Sequence, residues 1–200
     1  MPDPIALGFD TSAAHCAAAL LKGERVVAAR HEEMVKGQAE RLFPMLEEVL
    51  AEAGLDWSAL TVIGVGTGPG NFTGIRVAVA AARGLALSLG IPAIGIGVTE
   101  AAAYGLPRPC RVAIPSRRDT VIWQDFGTVE NDEGASRPQQ AATGALPPGP
   151  VPAAPAVPLA EAVARLAMER RDTSAPRPAP IYLRPADAAP PREAAPVILE

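Results

Sequence analysis

Cysteine, histidine, positive charge and long apolar runs are all scarce in this chain, and each shortage excludes a class of protein. There are only two cysteines and two histidines in 200 residues. Cys16 and Cys110 lie far apart and form no CxxC motif, so we expect free thiols, as in a cytoplasmic protein. A formal net charge of −4 argues against a protein that holds nucleic acid by itself, because neutralising phosphates requires clustered Lys and Arg.

Membrane and export signals are also missing from the sequence. The longest uncharged run, from Gly84 to Thr99, is broken by several glycines and by Pro92. The start, Met1-Pro2-Asp3-Pro4, lacks the basic residues that open a signal peptide. We therefore expect a cytoplasmic protein with no membrane contact.

The usual patterns of metal and nucleophilic sites are incomplete. His31-Glu32-Glu33-Met34-Val35 begins like HExxH, but Val35 stands where the second histidine belongs. His15 precedes Cys16 in a predicted strand, where adjacent side chains point to opposite faces. We predict no metal site and no catalytic residue, and structural or surface roles for both histidines.

The stretch from Thr61 to Gly90 is the most informative part of the chain. Its apolar, β-branched start predicts a buried strand, and glycines then crowd around Pro69. We expect Thr73 to cap a long helix that ends before Gly90. The only charges between Ile75 and Leu89 are Arg76 and Arg83, so this helix carries apolar residues on every side. This pattern predicts a helix covered on two sides, by its own sheet and by another protein; the alternative is a core helix buried inside a single larger domain.

The first strand, Ile5 to Phe9, ends in Asp10-Thr11-Ser12 and is followed at once by a predicted hairpin. Proteins of the actin, sugar-kinase and heat-shock ATPase superfamily begin in a similar way, with small residues around a phosphate and a carboxylate near the metal. The alternative is a turn with local side-chain hydrogen bonds. The candidate residues of such a degenerate phosphate loop are Asp10, Thr11, Ser12, Gly66, Gly68, Gly70 and Asn71. The glycine turn has no Gly-Lys-Ser/Thr motif, so we do not favour nucleotide binding.

The order of predicted elements indicates the fold class. A strand, a hairpin, a helix from Gln38 to Ala53, a strand, a helix and a strand make one ribonuclease-H-like lobe. Pro44 is expected to start or kink the regular part of the first helix. We predict an α/β protein with an actin-like (ASKHA) fold: a first lobe over residues 1–105, a reduced second lobe with a helix from Leu159 to Arg170 over 106–188, and a disordered tail over 189–200.

The sequence also resembles a known family. The run from Gly64 to Arg76, GVGTGPGNFTGIR, is similar to the signature of the bacterial TsaB (YeaZ) family. Similarity extends from Ile5 to Ile94 and returns in the Pro180–Ala188 segment with its Tyr-Leu-Arg motif.

The resemblance implies a non-catalytic scaffold in the synthesis of threonylcarbamoyladenosine next to the tRNA anticodon. It implies pairing with a TsaD-like homologue through the two first-lobe helices, with a TsaE-like ATPase and tRNA reached only through the complex. A weakly bound nucleotide at the partner interface and a homodimer are left open, the latter also as a structural module with no tRNA role. The interface residues predicted on this basis are Leu42, Phe43, Leu46, Val49, Ile75, Ala78, Val79, Ala82, Leu85 and Leu89. The alternative is an enzyme of actin-like fold, for nucleotide hydrolysis, group transfer or glycopeptide cleavage.

Overall fold

In the part of the chain that the structure describes, five strands form one mixed sheet and three strands form a second, smaller sheet. The structure is a computed structural model that describes residues 3–117, 119–127 and 136–183. The larger sheet consists of β1 (Ile5–Asp10), β2 (His15–Lys22), β3 (Arg25–Glu33), β4 (Val62–Gly66) and β5 (Ala93–Ile96), in the order β3-β2-β1-β4-β5. The smaller sheet consists of β6 (Cys110–Pro115), β7 (Thr120–Phe126) and β8 (Gln139–Ala142), all antiparallel.

The larger sheet has the strand order of a ribonuclease-H-like lobe. β1 pairs antiparallel with β2 and parallel with β4, and β4 pairs parallel with β5. Every residue of β1 and β4 is buried, as their continuous apolar sequences predict. The β2–β3 hairpin turns at Gly23, whose φ of 55° suits glycine. The predicted succession of strands and helices in this part of the chain is therefore confirmed.

Both faces of the larger sheet are covered by helices. Helices α1 (Gln38–Glu52) and α2 (Phe72–Leu89) pack on one face, around a core that includes Leu7, Phe9 and Ile63. Helices α3 (Val98–Ala102) and α4 (Leu159–Arg170) contribute to the core on the other face. The sheet is thus the central layer of a three-layer arrangement.

Helix α4 lies directly on the strands because two glycines make room for it. Gly8 of β1 and Gly64 of β4 are paired neighbours in the sheet. A methyl group on Gly8 would overlap the backbone of Ala160 and Ala164, and one on Gly64 would overlap the backbone of Val163. The sequence predicts α4 correctly but assigns it to the second lobe, whereas it packs on the five-stranded sheet. The division into lobes at residue 105 therefore separates the two sheets but not their helices.

Two expected helix starts differ from the structure: a start of α1 at Pro44, for which a kink was the alternative, and a cap of α2 at Thr73. Helix α1 runs from Gln38 through Pro44 without a break in its assignment, so the regular part does not start at the proline. Helix α2 is capped by Asn71, whose side-chain oxygen accepts a hydrogen bond from the Thr73 backbone N–H at 3.2 Å. Asparagine is among the best capping residues, and it precedes the first helical residue by one position.

The smaller sheet is held by one buried arginine. Arg111 of β6 is almost fully buried and forms a bidentate ion pair with Asp125 of β7, at 2.6 and 2.8 Å. Its guanidinium also donates to the Pro147 carbonyl at 2.7 Å and lies 4.7 Å from the centre of the Trp123 ring. A single side chain thereby joins both strands to the proline-rich loop that follows β8.

Helix α2 has the length and composition of a membrane span, with a mean hydropathy of 1.4 over 18 residues and 28% of that stretch buried. This is weak evidence for membrane contact, because the core helix of a water-soluble protein passes the same test. Ile75, Ala78 and Ala82 of this helix pack on the sheet. Apart from Arg76 and Arg83, most of the remaining surface of α2 is apolar and exposed or half-buried in the single chain, which bears on the site described next.

Candidate functional site

The Asp10 turn at the end of β1 is bonded within itself. The Asp10 side chain is fully buried, and its Oδ1 accepts hydrogen bonds from the Ser12 N–H at 2.9 Å and the Ser12 hydroxyl at 2.8 Å. His15 Nε2 lies 2.7 Å from the same oxygen. Asp10 Oδ2 has no hydrogen-bond partner in the described part of the chain. Of the two interpretations of this turn, the arrangement favours local side-chain hydrogen bonding.

The glycine turn packs against the Asp10 turn with no space between them. The Asn71 N–H donates to the Ser12 carbonyl at 2.5 Å, and the Thr11 hydroxyl donates to the Gly74 carbonyl at 2.7 Å. A methyl group on Gly70 would overlap the Ser12 carbonyl, and one on Gly74 would overlap the Thr11 carbonyl.

The same tight packing holds for the other glycines of the turn. A methyl group on Gly66 would overlap the Asp10 carboxylate. Gly68, with a φ of 89°, accepts a hydrogen bond from the Val98 N–H at 2.8 Å. The structure thus brings the predicted phosphate-loop residues together, but they contact one another. A phosphate between the two turns does not fit this arrangement.

The other candidates for chemistry are equally engaged. Burial raises the pKa of the Cys16 thiol to about 11, so it stays protonated and unreactive at neutral pH. The rings of His15 and His31 lie 5.1 Å apart on neighbouring strands, and His31 bonds to Glu33 at 3.0 Å. Within residues 3–117, 119–127 and 136–183, no cluster of three His, Cys, Asp or Glu side chains could hold a metal. The contact between His15 and Asp10 was missed by the sequence analysis, although the short turn joining β1 to β2 brings these two residues close.

The predicted interface on the helix pair needs correction. Seven of the ten nominated side chains belong to the lobe's own core and are at most 4% exposed, so they offer a partner little or no surface in the folded lobe. They are Leu42, Leu46, Val49, Ile75, Ala78, Val79 and Ala82. Phe43 is exposed, and Leu85 and Leu89 are half-buried, so these three remain accessible.

An apolar groove lies between α1 and α2 on the side away from the sheet. Its volume is about 410 Å³, and it is lined by Ala39, Leu42, Phe43, Val77, Ala80, Ala81, Gly84, Leu85 and Ser88. Leu87 lies on α2, as most of the lining residues do, and its side chain is 84% exposed. The signal for this groove was present in the sequence, since Ala80, Gly84 and Ser88 repeat at four-residue spacing and so share one face. It was missed because α2 is apolar on every side.

Charge is divided across the same surface. The exposed acidic residues Glu40 and Glu47 lie on α1, whereas α2 carries Arg76 and Arg83 and no acidic residue. The charges of α1 are thus mainly acidic and those of α2 are basic. Such a face suits a partner with the opposite distribution of charge.

Comparison with known proteins places the chain in a family. The sequence model of the family described as "TsaD: tRNA N6-adenosine threonylcarbamoyltransferase" matches residues 26–157. The tRNA threonylcarbamoyladenosine biosynthesis protein TsaB of Escherichia coli (strain K12) is 32% identical over 62% of this chain and 56% of its own length. The chain thus spans little more than half of that relative. An uncharacterised protein of Mycobacterium tuberculosis is 30% identical over 80% of this chain and 86% of its own length.

A solved structure agrees with these sequence matches. It is titled as an uncharacterised protein with similarity to peptidase YEAZ from Pseudomonas aeruginosa, and it is 28% identical. It covers 90% of this chain and 100% of its own, with a TM-score of 0.72. Together with the two sheets, this similarity confirms the predicted actin-like α/β fold class. The chain belongs to the TsaD family and is assigned to its TsaB (YeaZ) branch.

Proposed function

We propose that this chain is a scaffold subunit that pairs with a TsaD-like homologue in the synthesis of threonylcarbamoyladenosine on tRNA. The observation that carries the proposal is the uncovered apolar groove between α1 and α2. A groove of this size on a water-soluble lobe is typical of a docking site rather than a free surface. The names of the curated relatives supply the pathway.

The bonding of the candidate reactive side chains within the chain itself supports a scaffold role. Asp10, Thr11 and Ser12 are buried and bonded to the chain itself, and the Cys16 thiol is inert. In this proposal the chemistry and the tRNA belong to the partner, and a TsaE-like ATPase joins through the complex. The assembly would work in the cytoplasm.

The groove offers apolar surface that association would remove from water. Each fully buried Leu or Phe side chain contributes about 1.5–3 kcal/mol before the entropic cost of association. Leu87, Phe43 and Leu85 would contribute in this way, with Ala80 and Gly84 allowing a partner helix to approach closely. The homologue's own helix pair is the expected occupant.

Gly84 is the best position at which to test the groove. A Cβ added there meets no atom within 4 Å, so a side chain can start from this position without a clash with the lobe. Co-expression with the TsaD-like homologue of the same cell, followed by size-exclusion chromatography with light scattering, should give a one-to-one complex. Gly84→Glu should abolish it, because a charge would be buried on pairing. The matched variant Gly84→Ala should stay folded, and about 0.5–1 kcal/mol more stable as a better helix former.

Two results would overturn the proposal. One is that the unaltered chain forms no complex with the homologue. The other is a Gly84→Glu variant that pairs as tightly as the unaltered chain. The tRNA role has its own assay: depletion of the chain in cells should lower threonylcarbamoyladenosine among the tRNA nucleosides measured by mass spectrometry.

A further inference from the structure

A short segment near the end of the described chain lies across the glycine turn. We call residues 178–182 the strap. The Ile181 N–H donates to the Thr67 carbonyl at 2.8 Å, directly after β4. Pro178 is buried against Gly95 of β5, within a stretch that is otherwise mostly exposed. The strap is therefore fixed to the carboxyl ends of two neighbouring strands.

The strap ends on the first turn of α2. The Tyr182 and Phe72 rings lie 4.9 Å apart. The Arg76 guanidinium lies 3.6 Å from the centre of the Phe72 ring, and its Nε donates to the Tyr182 hydroxyl at 2.9 Å. Contacts of this kind orient two rings and a cation without burying them.

These rings remain accessible to a partner. Phe72 and Tyr182 are each a little over one third exposed. The large exposed apolar side chains of the described residues are Val35, Phe43, Phe72, Leu87, Val151, Ile181 and Tyr182. Five of these seven lie on α1, on α2 or in the strap, so they concentrate on one side of the molecule.

The aromatic group is continuous with the uncovered face of α2. Phe72, Arg76, Ala80 and Leu87 are separated by four, four and seven residues, which places them along one side of the helix. All four are exposed. The strap's Tyr182 therefore extends this stripe beyond the first residue of α2.

We infer that the pairing surface consists of the two helices and the strap, with Tyr182, Phe72 and Arg76 as an aromatic anchor for the same partner. The inference rests on the proposed function. Aromatic and arginine side chains dominate the affinity of many interfaces, which is the chemistry present here. The partner would bring an apolar surface to the rings and acidic groups to the edge of α2 that carries Arg76 and Arg83.

The chain has two tyrosines, so Tyr104 can serve as an internal control in a test of Tyr182. Tyr104 packs with α4 on the opposite face of the sheet, and its hydroxyl donates to Glu169 at 3.1 Å. In the complex with the TsaD-like homologue, oxidative footprinting by mass spectrometry should show several-fold lower labelling of Tyr182 than in the free chain. Labelling of Tyr104 should not change.

Affinity gives a second measurement. Tyr182→Ala should weaken pairing by at least about fivefold, as truncation of an anchor does. Tyr104→Phe should leave the dissociation constant unchanged, and circular dichroism should show both variants folded. Unchanged labelling of Tyr182 in a complex that does form would overturn the inference and leave the proposed function standing. Failure of the unaltered chain to pair would overturn both. If Tyr182→Ala weakened only the association of the chain with a second copy of itself, that result would also count against the TsaD-like homologue as the partner at this anchor.

Discussion

Replacing Asp10 distinguishes a structural turn from a nucleotide site. In the structure, Asp10 Oδ1 accepts three hydrogen bonds, two from Ser12 and one from His15. Asp10→Ala would leave these donors without their acceptor inside a buried turn. Each unsatisfied buried donor costs about 1–3 kcal/mol. The other carboxylate oxygen, Asp10 Oδ2, has no partner among the described residues, so its burial already costs free energy. Removing the carboxylate removes that cost, which offsets part of the loss of stability.

We therefore expect Asp10→Ala to lower the free energy of unfolding by about 2–4 kcal/mol. For a chain of this size, each kcal/mol corresponds to about 2–4 °C in melting temperature, which makes the effect large. Asp10→Asn should cost less, because its oxygen can still accept the bonds from Ser12. Urea unfolding followed by circular dichroism gives the measurement.

Asp56 provides a matched control elsewhere in the chain. Its carboxylate bonds to the N–H and hydroxyl of Ser58, at 2.8 and 2.5 Å, in the same Asp-x-Ser pattern, but on the exposed surface. Asp56→Ala should cost only about 0.5–2 kcal/mol, as loss of a helix cap does. The reasoning is refuted if Asp10→Ala is as stable as the unaltered chain and instead abolishes ATP binding in isothermal calorimetry. That outcome would favour an enzyme of actin-like fold.

Three further predictions follow from burial and close packing. Val79→Glu should abolish cooperative unfolding in circular dichroism, because a carboxylate would enter the core; a folded variant that merely fails to pair would contradict this. Gly74→Ala should lower the free energy of unfolding in urea by about 1–3 kcal/mol, since the added methyl overlaps the Thr11 carbonyl. Hydrogen bonding from Arg111 lowers the pKa of the Asp125 carboxyl, so the pair stabilises the fold above the ordinary carboxyl pKa and less as pH falls through the lowered value. Asp125→Asn should therefore be less stable than the unaltered chain at about pH 7, and the difference in free energy of unfolding should be smaller at about pH 3. Unfolding followed by tryptophan fluorescence measures this difference. A difference that does not depend on pH would count against the ion pair.

Local sequence patterns were sufficient for the order of elements. The β-branched run before Gly66, the glycine at position 23 and the stop at Gly90 each act within a few residues, so the strand, the hairpin turn and the end of α2 were predicted correctly. A start of α1 at Pro44 was expected because the cost of the proline was weighed alone, without the packing of Leu42, Leu46 and Val49 that holds α1 on the sheet. The alternative, a kink at Pro44, stays a prediction.

The site was only partly accessible from the sequence. The apolar composition of α2 predicted a second covered side, but it could not assign Val79 to the core and Ala80 to the groove. The Pro180–Ala188 segment was noticed only as a resemblance, and its last five residues lie outside the described part of the chain. The contact of Tyr182 with Phe72 joins positions more than one hundred residues apart.

The sequence by itself determined the elements, their order and the family signature, because propensity, capping and turn chemistry depend on near neighbours along the chain. The tertiary structure alone decided which face of α2 is free, where α4 packs and what the Asp10 turn bonds. Burial and hydrogen bonding at these places depend on the residues that folding brings together, such as Gly8 with Ala164 and Thr11 with Gly74. Those partners are distant in sequence, so no local pattern specifies them.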